Sequence, residues 1–179
     1  MTFHKLLIAN RGEIACRIIK TAHEMGISCV AVYTEADSHS PFVRMADEAV
    51  KLSDTYLNGK EIIDAAKQTG AQAIHPGYGF LSENAKFSKD VQKEGLIWVG
   101  PNSRVITSMG DKLKAKDIAE KAGVPTLPMT TDPKKANTIG YPILIKAAAG
   151  GGGKGMRIVE DKKDLKEAIA GAQREALTG

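Results

Sequence analysis

The chain has 179 residues, 42% of them hydrophobic and 26% charged, with a formal net charge of +4; that composition fits a globular protein. The 25 basic residues are interleaved with 21 acidic ones and aromatics make up only 5%, which argues against a stacking platform for single-stranded nucleic acid. No apolar run approaches the roughly 20 residues that a membrane helix needs, and Arg11 and Glu13 come too early for a signal-peptide core, so the expectation is a cytoplasmic protein with no membrane or nucleic-acid partner.

In chain order, residues 5–9 (KLLIA) predict a short buried strand. From Gly12 the period changes: Ile14, Ile18, Ala22 and Met25 recur at helical spacing, as do Ala15 and Ile19, and Gly26 closes the helix. Residues 29–33 (CVAVY) give the next strand and residues 50–52 a weak third. Asn58-Gly59-Lys60-Glu61 resembles a capping box with Asn in place of Ser or Thr, opening a helix that runs through Ile62, Ile63, Ala65 and Ala66 to Gly70. Residues 72–75 form a strand, 84–94 a polar-amphipathic helix, 96–99 (LIWV) a strand stopped by Gly100-Pro101, and 111–122 a helix ended by Gly123. Strands alternating with helices at this spacing imply crossovers within a mostly parallel sheet covered on both faces, a doubly wound α/β domain over residues 1 to about 100.

After Gly123 the character shifts. VPTLPMTTDPKK holds three prolines and little periodicity, and reads as a linker. Residues 143–146 and 156–159 are strands around a glycine run, and Asp161 caps a helix carrying Leu165, Ala168, Ile169 and Ala172. Cys16 and Cys29 lie in apolar-periodic segments and form no CxxC pair, which reads as free thiols in a reducing compartment. No His/Cys cluster has zinc-like spacing, so no metal site is expected.

The run KAAAGGGGKGMR, residues 146–157, raises the sharpest question, because consecutive glycines are entropically costly to order. Gly150, Gly152 and Gly155 literally match a dinucleotide fingerprint, but that motif needs a helix immediately after it, and MRIV is strand-like. A P-loop needs Ser or Thr after Gly153-Lys154, where Gly155 stands. What remains is a hairpin tip whose bare N–H groups close over a polyphosphate, with Lys146 aimed at the same phosphates, or else a plain flexible linker. Two further loops follow strands at the edge where open parallel sheets bind ligands. In HPGYGFLSEN, two glycines flanking Tyr78 let a planar group lie against backbone and ring, unless the loop is simply tight with an aromatic plug. In IANRGE, Arg11 and Glu13 are either functional or a local ion pair. Spacing alone does not raise Lys112 above Lys114 and Lys116.

Taken together, IANRGEIACRI (8–18), ADEAV (46–50), YLN (56–58), AIHPGYGFLSEN (73–84), VGP (99–101), MGDK (109–112), KAGVP (121–125) and IGYPILIKAAAGGGGKGMR (139–157) resemble the biotin carboxylase family of the ATP-grasp superfamily, in that family's order. The resemblance implies a doubly wound, Rossmann-like N-terminal domain over residues 1–110, a helix and linker over 111–130, and a partial ATP-grasp lid over 131–179. It implies a ligase that uses ATP, Mg²⁺ and bicarbonate to carboxylate biotin on a biotin carboxyl carrier protein, working with a carboxyltransferase component in an acyl-CoA or pyruvate carboxylase system. In that family carboxyphosphate is the intermediate, yielding CO₂ and a phosphate that deprotonates biotin. By the same resemblance Lys112 and Lys146 contact nucleotide phosphates, Gly152, Gly153 and Met156 belong to a mobile lid over ATP, Tyr78 and Gly79 lie near the biotin ring, and Arg17 sits at the contact of a homodimer. The family's magnesium carboxylates, bicarbonate-binding arginine and catalytic base lie in a distal half to which no residue here corresponds, so the resemblance implies that this chain alone does not catalyse. The segments between Val50 and Tyr56 and between Pro125 and Ile139 are shorter than usual, and Ala149 stands where a fifth glycine is common. Another ATP-grasp ligase, of the carbamoyl-phosphate synthase kind, or a non-catalytic assembly module are the alternatives.

Overall fold

The apolar runs of the first hundred residues become five short strands: β1 (Lys5–Ile8), β2 (Ser28–Tyr33), β3 (Glu48–Lys51), β4 (Ala73–His75) and β5 (Ile97–Trp98). They pair in parallel in the order β3-β2-β1-β4-β5. The computed structural model describes residues 3–146 and 155–177, and the chain divides into two units, Met1–Asp111 and Lys112–Gly179.

Successive side chains of a strand point to opposite faces, and here both faces are buried. Leu7, Val30, Val32 and Ile74 pack on one side with α3 (Gly59–Thr69), α4 (Ala85–Lys93) and α5 (Ser103–Gly110), through Ile62, Ala66, Phe87, Val91 and Ile106. Leu6, Ile8, Cys29, Ala31 and Ala73 pack on the other with α1 (Gly12–Glu24) and α2 (Pro41–Met45), through Ala15, Ile19, Ala22 and Phe42. Burial on both faces explains why KLLIA and CVAVY are continuous apolar runs rather than alternating ones. Crossovers between parallel strands are right-handed. The winding therefore reverses after β3, placing α1 and α3 on opposite faces and leaving the carboxyl ends of β1 and β4 diverging at the middle of the sheet.

Three helices of this unit begin at asparagine. Asn58, Asn84 and Asn102 accept from the backbone N–H of Glu61 (3.3 Å), Phe87 (2.9 Å) and Val105 (3.0 Å), each satisfying one donor that the first turn leaves without a partner. Only half of the predicted capping box forms. The Glu61 carboxylate accepts instead from the Ser53 N–H (2.6 Å) and Oγ (2.9 Å), fixing the turn after β3.

Several sequence expectations need correction. The third strand is Glu48–Lys51, earlier than residues 50–52, because its pairing to Val30–Tyr33 and not its own apolarity sets its bounds. The helix expected at 111–122 forms as α6 (Lys112–Lys121), but a helix that was not expected, α5 at Ser103–Gly110, precedes it and ends at an extended Asp111 (φ −88°, ψ 111°). The short α2 has Pro41 at its first position and anchors Phe42 in the core, a contact that five residues are too few to reveal as periodicity.

The second unit holds α6, a 3-10 helix over Pro133–Thr138 inside the expected linker, and the antiparallel pair β6 (Ile143–Lys146) and β7 (Met156–Val159). Asp161 caps a 3-10 turn, Lys162–Asp164, which leads into α7 (Leu165–Leu177). On the buried side of the hairpin Val159 is covered, and Arg157 lies against Gly171, where a Cβ would come within 2.7 Å of Arg157 Nε, and pairs with Glu175. Among the described residues no helix is long and apolar enough to cross a membrane.

Removing a cap tests the helix starts. Asn84→Ala is expected to cost about 1 kcal/mol in urea unfolding with an unchanged m-value, and Asn84→Asp a few tenths at most.

Candidate functional site

β1 runs out into Ala9-Asn10-Arg11-Gly12 and β4 into Pro76-Gly77-Tyr78-Gly79-Phe80. Between these two ends lies an open cavity of about 380 Å³, lined by Asn10, Arg11, Gly12, Glu13, Tyr78 and Phe80 among others. This is the point where the strand order reverses, the usual ligand position in an open parallel sheet.

Asn10 ties the two ends together. It is 2% exposed, and its Nδ2 donates to the carbonyls of Pro76 and Tyr78, both at 2.7 Å, while Oδ1 accepts from Arg11 N–H at 2.9 Å. The loop can come this close only because residue 77 is glycine: at φ +65° a Cβ there would lie 2.7 Å from Asn10 Nδ2. Gly79 also has positive φ (+66°), but nothing lies within 4 Å of its Cβ position. The Gly77 N–H donates to His75 Nδ1 at 3.0 Å, which places the ring proton on Nε2, and burial pushes the His75 pKa down.

A second anchor holds the far side of the loop. Phe80 stacks on Tyr56 with ring centroids 5.2 Å apart, and takes φ +43°, unusual for a non-glycine residue. Tyr56 in turn donates its hydroxyl to Asp37 Oδ2 at 2.7 Å. Asp37, 4% exposed, also accepts a two-pronged bond from Arg11 Nε (2.6 Å) and Nη2 (2.5 Å), with Ser40 Oγ at 3.3 Å. The Arg11 fork holds the Asp37 carboxyl down to about 2, against the opposing effect of burial and with help from the Tyr56 and Ser40 hydroxyls. The Arg11 guanidinium is raised by the same bond. Burial and then the bond to Asp37 raise the Tyr56 phenol.

The local Arg11–Glu13 ion pair, one of the two readings of IANRGE, does not form. Arg11 turns inward to Asp37, a buried carboxylate that desolvates only with such a partner. Glu13 accepts from the Tyr78 hydroxyl at 2.5 Å and lies 3.6 Å from Arg17 Nη1. Tyr78 is 57% exposed, so it is no plug; Phe80, though also part-exposed, is the ring of the loop that meets another ring, Tyr56. The fold thus brings Tyr78, Gly79 and Arg17 together around Glu13, on a solvent-facing rim. The bond to Glu13 raises the Tyr78 pKa. Sequence reasoning missed the clamp of Asn10, Asp37 and Tyr56. The one signal was position: Asn10 and Asp37 each follow a strand at the same sheet edge.

In the second unit Lys146 pairs across the hairpin with Met156, and Leu144 with Ile158. Cross-strand partners share a face, so the exposed Lys146 and Met156 lie side by side with two exposed aliphatic residues. The side chain of Lys112, and the whole of Gly152 and Gly153, lie outside the described residues.

Residues 2–106 match the family described as biotin carboxylase, N-terminal domain. The chain belongs to the biotin carboxylase family. Residues 111–179 match the carbamoyl-phosphate synthase L chain, ATP binding domain. Among biotin-dependent carboxylases, the chain is 53% identical to the mitochondrial methylcrotonoyl-CoA carboxylase subunit alpha of Dictyostelium discoideum, over 96% of this chain and 26% of that protein. It is similar in structure to the biotin carboxylase domain of Hydrogenobacter thermophilus 2-oxoglutarate carboxylase in complex with MgADP, ADP and bicarbonate, at 45% identity and TM-score 0.90, covering 100% of this chain and 42% of that one. It is equally similar to biotin carboxylase from Campylobacter jejuni in a β,γ-ATP complex, at 43% identity and TM-score 0.91, covering 99% and 43%. The chain therefore spans about a quarter of the curated relative and about two-fifths of each solved biotin carboxylase chain.

Two measurements probe the clamp. Gly77→Ala is expected to destabilise clearly more than Gly79→Ala, since both replace a positive-φ glycine, at roughly 1–2 kcal/mol, but only the first meets Asn10; urea unfolding of the two variants reads the difference. The folded pKa of Asp37, about 2, lies below its unfolded value, so the stabilisation is complete above about pH 4 and is lost as pH falls toward 2. Stability of the parent is expected to fall more steeply across that window than that of Asp37→Asn, in parallel urea titrations.

Proposed function

We propose that this chain supplies the biotin-facing loop and part of the ATP-binding lid of a biotin carboxylase, an ATP-dependent ligase that carboxylates biotin on a carrier protein. The observation that supports this most is the clamped loop at the strand reversal. Asn10, Tyr56 and Phe80 hold residues 76–80 in place while leaving Tyr78 exposed and the space beside the Gly79 Cα open. A flat bicyclic urea fits against such a surface, with no side chain at residue 79 to obstruct its approach. In this reading Tyr78 and Gly79 orient the biotin ring, and Glu13 fixes the Tyr78 hydroxyl. Arg17, exposed beside Glu13, contributes to the contact of a homodimer.

ATP supplies the phosphoryl group that activates bicarbonate, with Mg²⁺ held by carboxylates from the part of the family outside the matched residues. Lys146 places an ammonium at the end of the β6–β7 hairpin where the chain passes from one strand to the next, beside the exposed Met156 thioether. Such a pair suits a nucleotide, the cation neutralising phosphate charge as it shifts in the transition state and the apolar face covering the base. Lys112 is proposed as a second phosphate cation and Gly152 and Gly153 as lid backbone. Turnover requires the bicarbonate-binding and basic groups of the distal half, so the 179 residues are proposed to act as part of a larger catalytic assembly with carrier and carboxyltransferase components. The match of residues 111–179 to a carbamoyl-phosphate synthase domain fits an ATP-binding role common to both families. The N-terminal match over residues 2–106 favours biotin chemistry.

The test is kinetic, in a biotin carboxylase carrying these residues. Lys146→Ala is expected to raise the KM for ATP by about 10- to 100-fold, the loss of one charge-assisted hydrogen bond. An unchanged KM would overturn the role given to Lys146.

A further inference from the structure

The sheet has a second chemically loaded end. At the amino ends of β2 and β3, opposite the loops that carry Tyr78, three side chains of different donor type converge: His23 from the last turn of α1, Cys29 from the start of β2, and Asp47 from the residue before β3. One ligand atom from each lies within 4.8 Å of the other two. Asp47 Oδ2 is 2.9 Å from His23 Nε2 and accepts from the Cys29 N–H at 2.7 Å. His23 and Asp47 are part-exposed at the rim of an open cavity of about 220 Å³, which Gly26, Ile27 and Ser28 also line, while Cys29 is fully buried beneath.

We propose that His23, Cys29 and Asp47 form a binding site for a borderline-soft divalent cation of the zinc type, with water completing the coordination. Imidazole, carboxylate and thiolate together suit zinc or cobalt and not the all-oxygen preference of magnesium or calcium. Tetrahedral zinc sets its donors about 3.3–3.6 Å apart, so the His23–Asp47 pair, now at 2.9 Å, has to open slightly while both stay within reach of the Cys29 sulfur, an adjustment that the part-exposed His23 and Asp47 side chains can supply. The electrostatics favour a cation. The Asp47 carboxylate, which bonds both to His23 and to the Cys29 N–H, places a negative charge among the three donors. Binding forms a metal–sulfur bond, breaks the S–H bond and releases that one proton to solvent; His23 binds as the neutral ring, exchanging its hydrogen bond to Asp47 for the metal. The sequence hides the site because its residues are 24 positions apart at the extremes and come from three elements.

Cobalt(II) is the probe. Titration of the 179-residue chain is expected to give a thiolate-to-cobalt charge-transfer band that saturates at one equivalent and is bleached by one equivalent of zinc. Cys29→Ala is expected to abolish the band, and His23→Gln to weaken zinc binding at least tenfold by competition with a chromophoric chelator, on the scale on which metal sites respond to lost ligand interactions. Absence of the band, or its survival in Cys29→Ala, overturns the proposal and assigns any binding to other groups such as Cys16. Should Cys29→Ala fail to fold, His23→Gln decides, since His23 is exposed: unchanged zinc affinity overturns the site.

Discussion

The side chain of Asn10 is where the sheet and the candidate site depend on each other. A parallel sheet covered on both faces leaves its loops only the strand ends, and the reversal of winding opens a gap between β1 and β4. A single buried amide spans that gap, donating to two carbonyls of the opposite loop and accepting from its own chain. Its three bonds leave one of its polar sites over, and an amide buried to this extent is costly unless so satisfied. The absence of a Cβ at Gly77 is the matching condition on the other side. Without either, the loop from Pro76 to Phe80 would have no fixed relation to the strands that present it.

Charge placement follows from that geometry. Arg11 and Glu13 are two residues apart but serve different partners, because the turn sends Arg11 down to Asp37 and leaves Glu13 on the rim. The Asp37 carboxylate is kept ionised by an arginine fork and a phenol, and the phenol's ring carries Phe80 by stacking. A buried charge and an exposed loop are thereby coupled through four side chains. The Tyr78 ring stands outside this network: its hydroxyl donates to Glu13 and the side chain remains available to solvent.

The second unit works on a different principle. Its hairpin buries one face against α7 and leaves the other, with Leu144, Lys146, Met156 and Ile158, exposed. An apolar strip ending in a cation at the connected end of a hairpin is a poor solvent-facing surface, which is why it is proposed as a cover for a nucleotide. Family membership and the structural likeness to nucleotide-bound biotin carboxylases agree with that use.

The alternation of apolar runs and amphipathic helices was readable from the residues, since burial on both faces writes long apolar stretches into β1 and β2, and the asparagine caps mark the starts of α3 and α4 in plain text. The order of the motifs likewise identified the family, and the apolar stretches on either side of the glycine run placed Lys146 and Met156 on the two strands of a hairpin. Tertiary structure alone decided the partners: that Arg11 seeks Asp37 and not Glu13, that Glu61 turns to Ser53, and that His23, Cys29 and Asp47 meet. The physical reason is the same in each case. Periodicity and capping are local and act over three or four residues, whereas the partner of a polar side chain is set by which strand ends the winding brings together, and that is a property of the whole sheet.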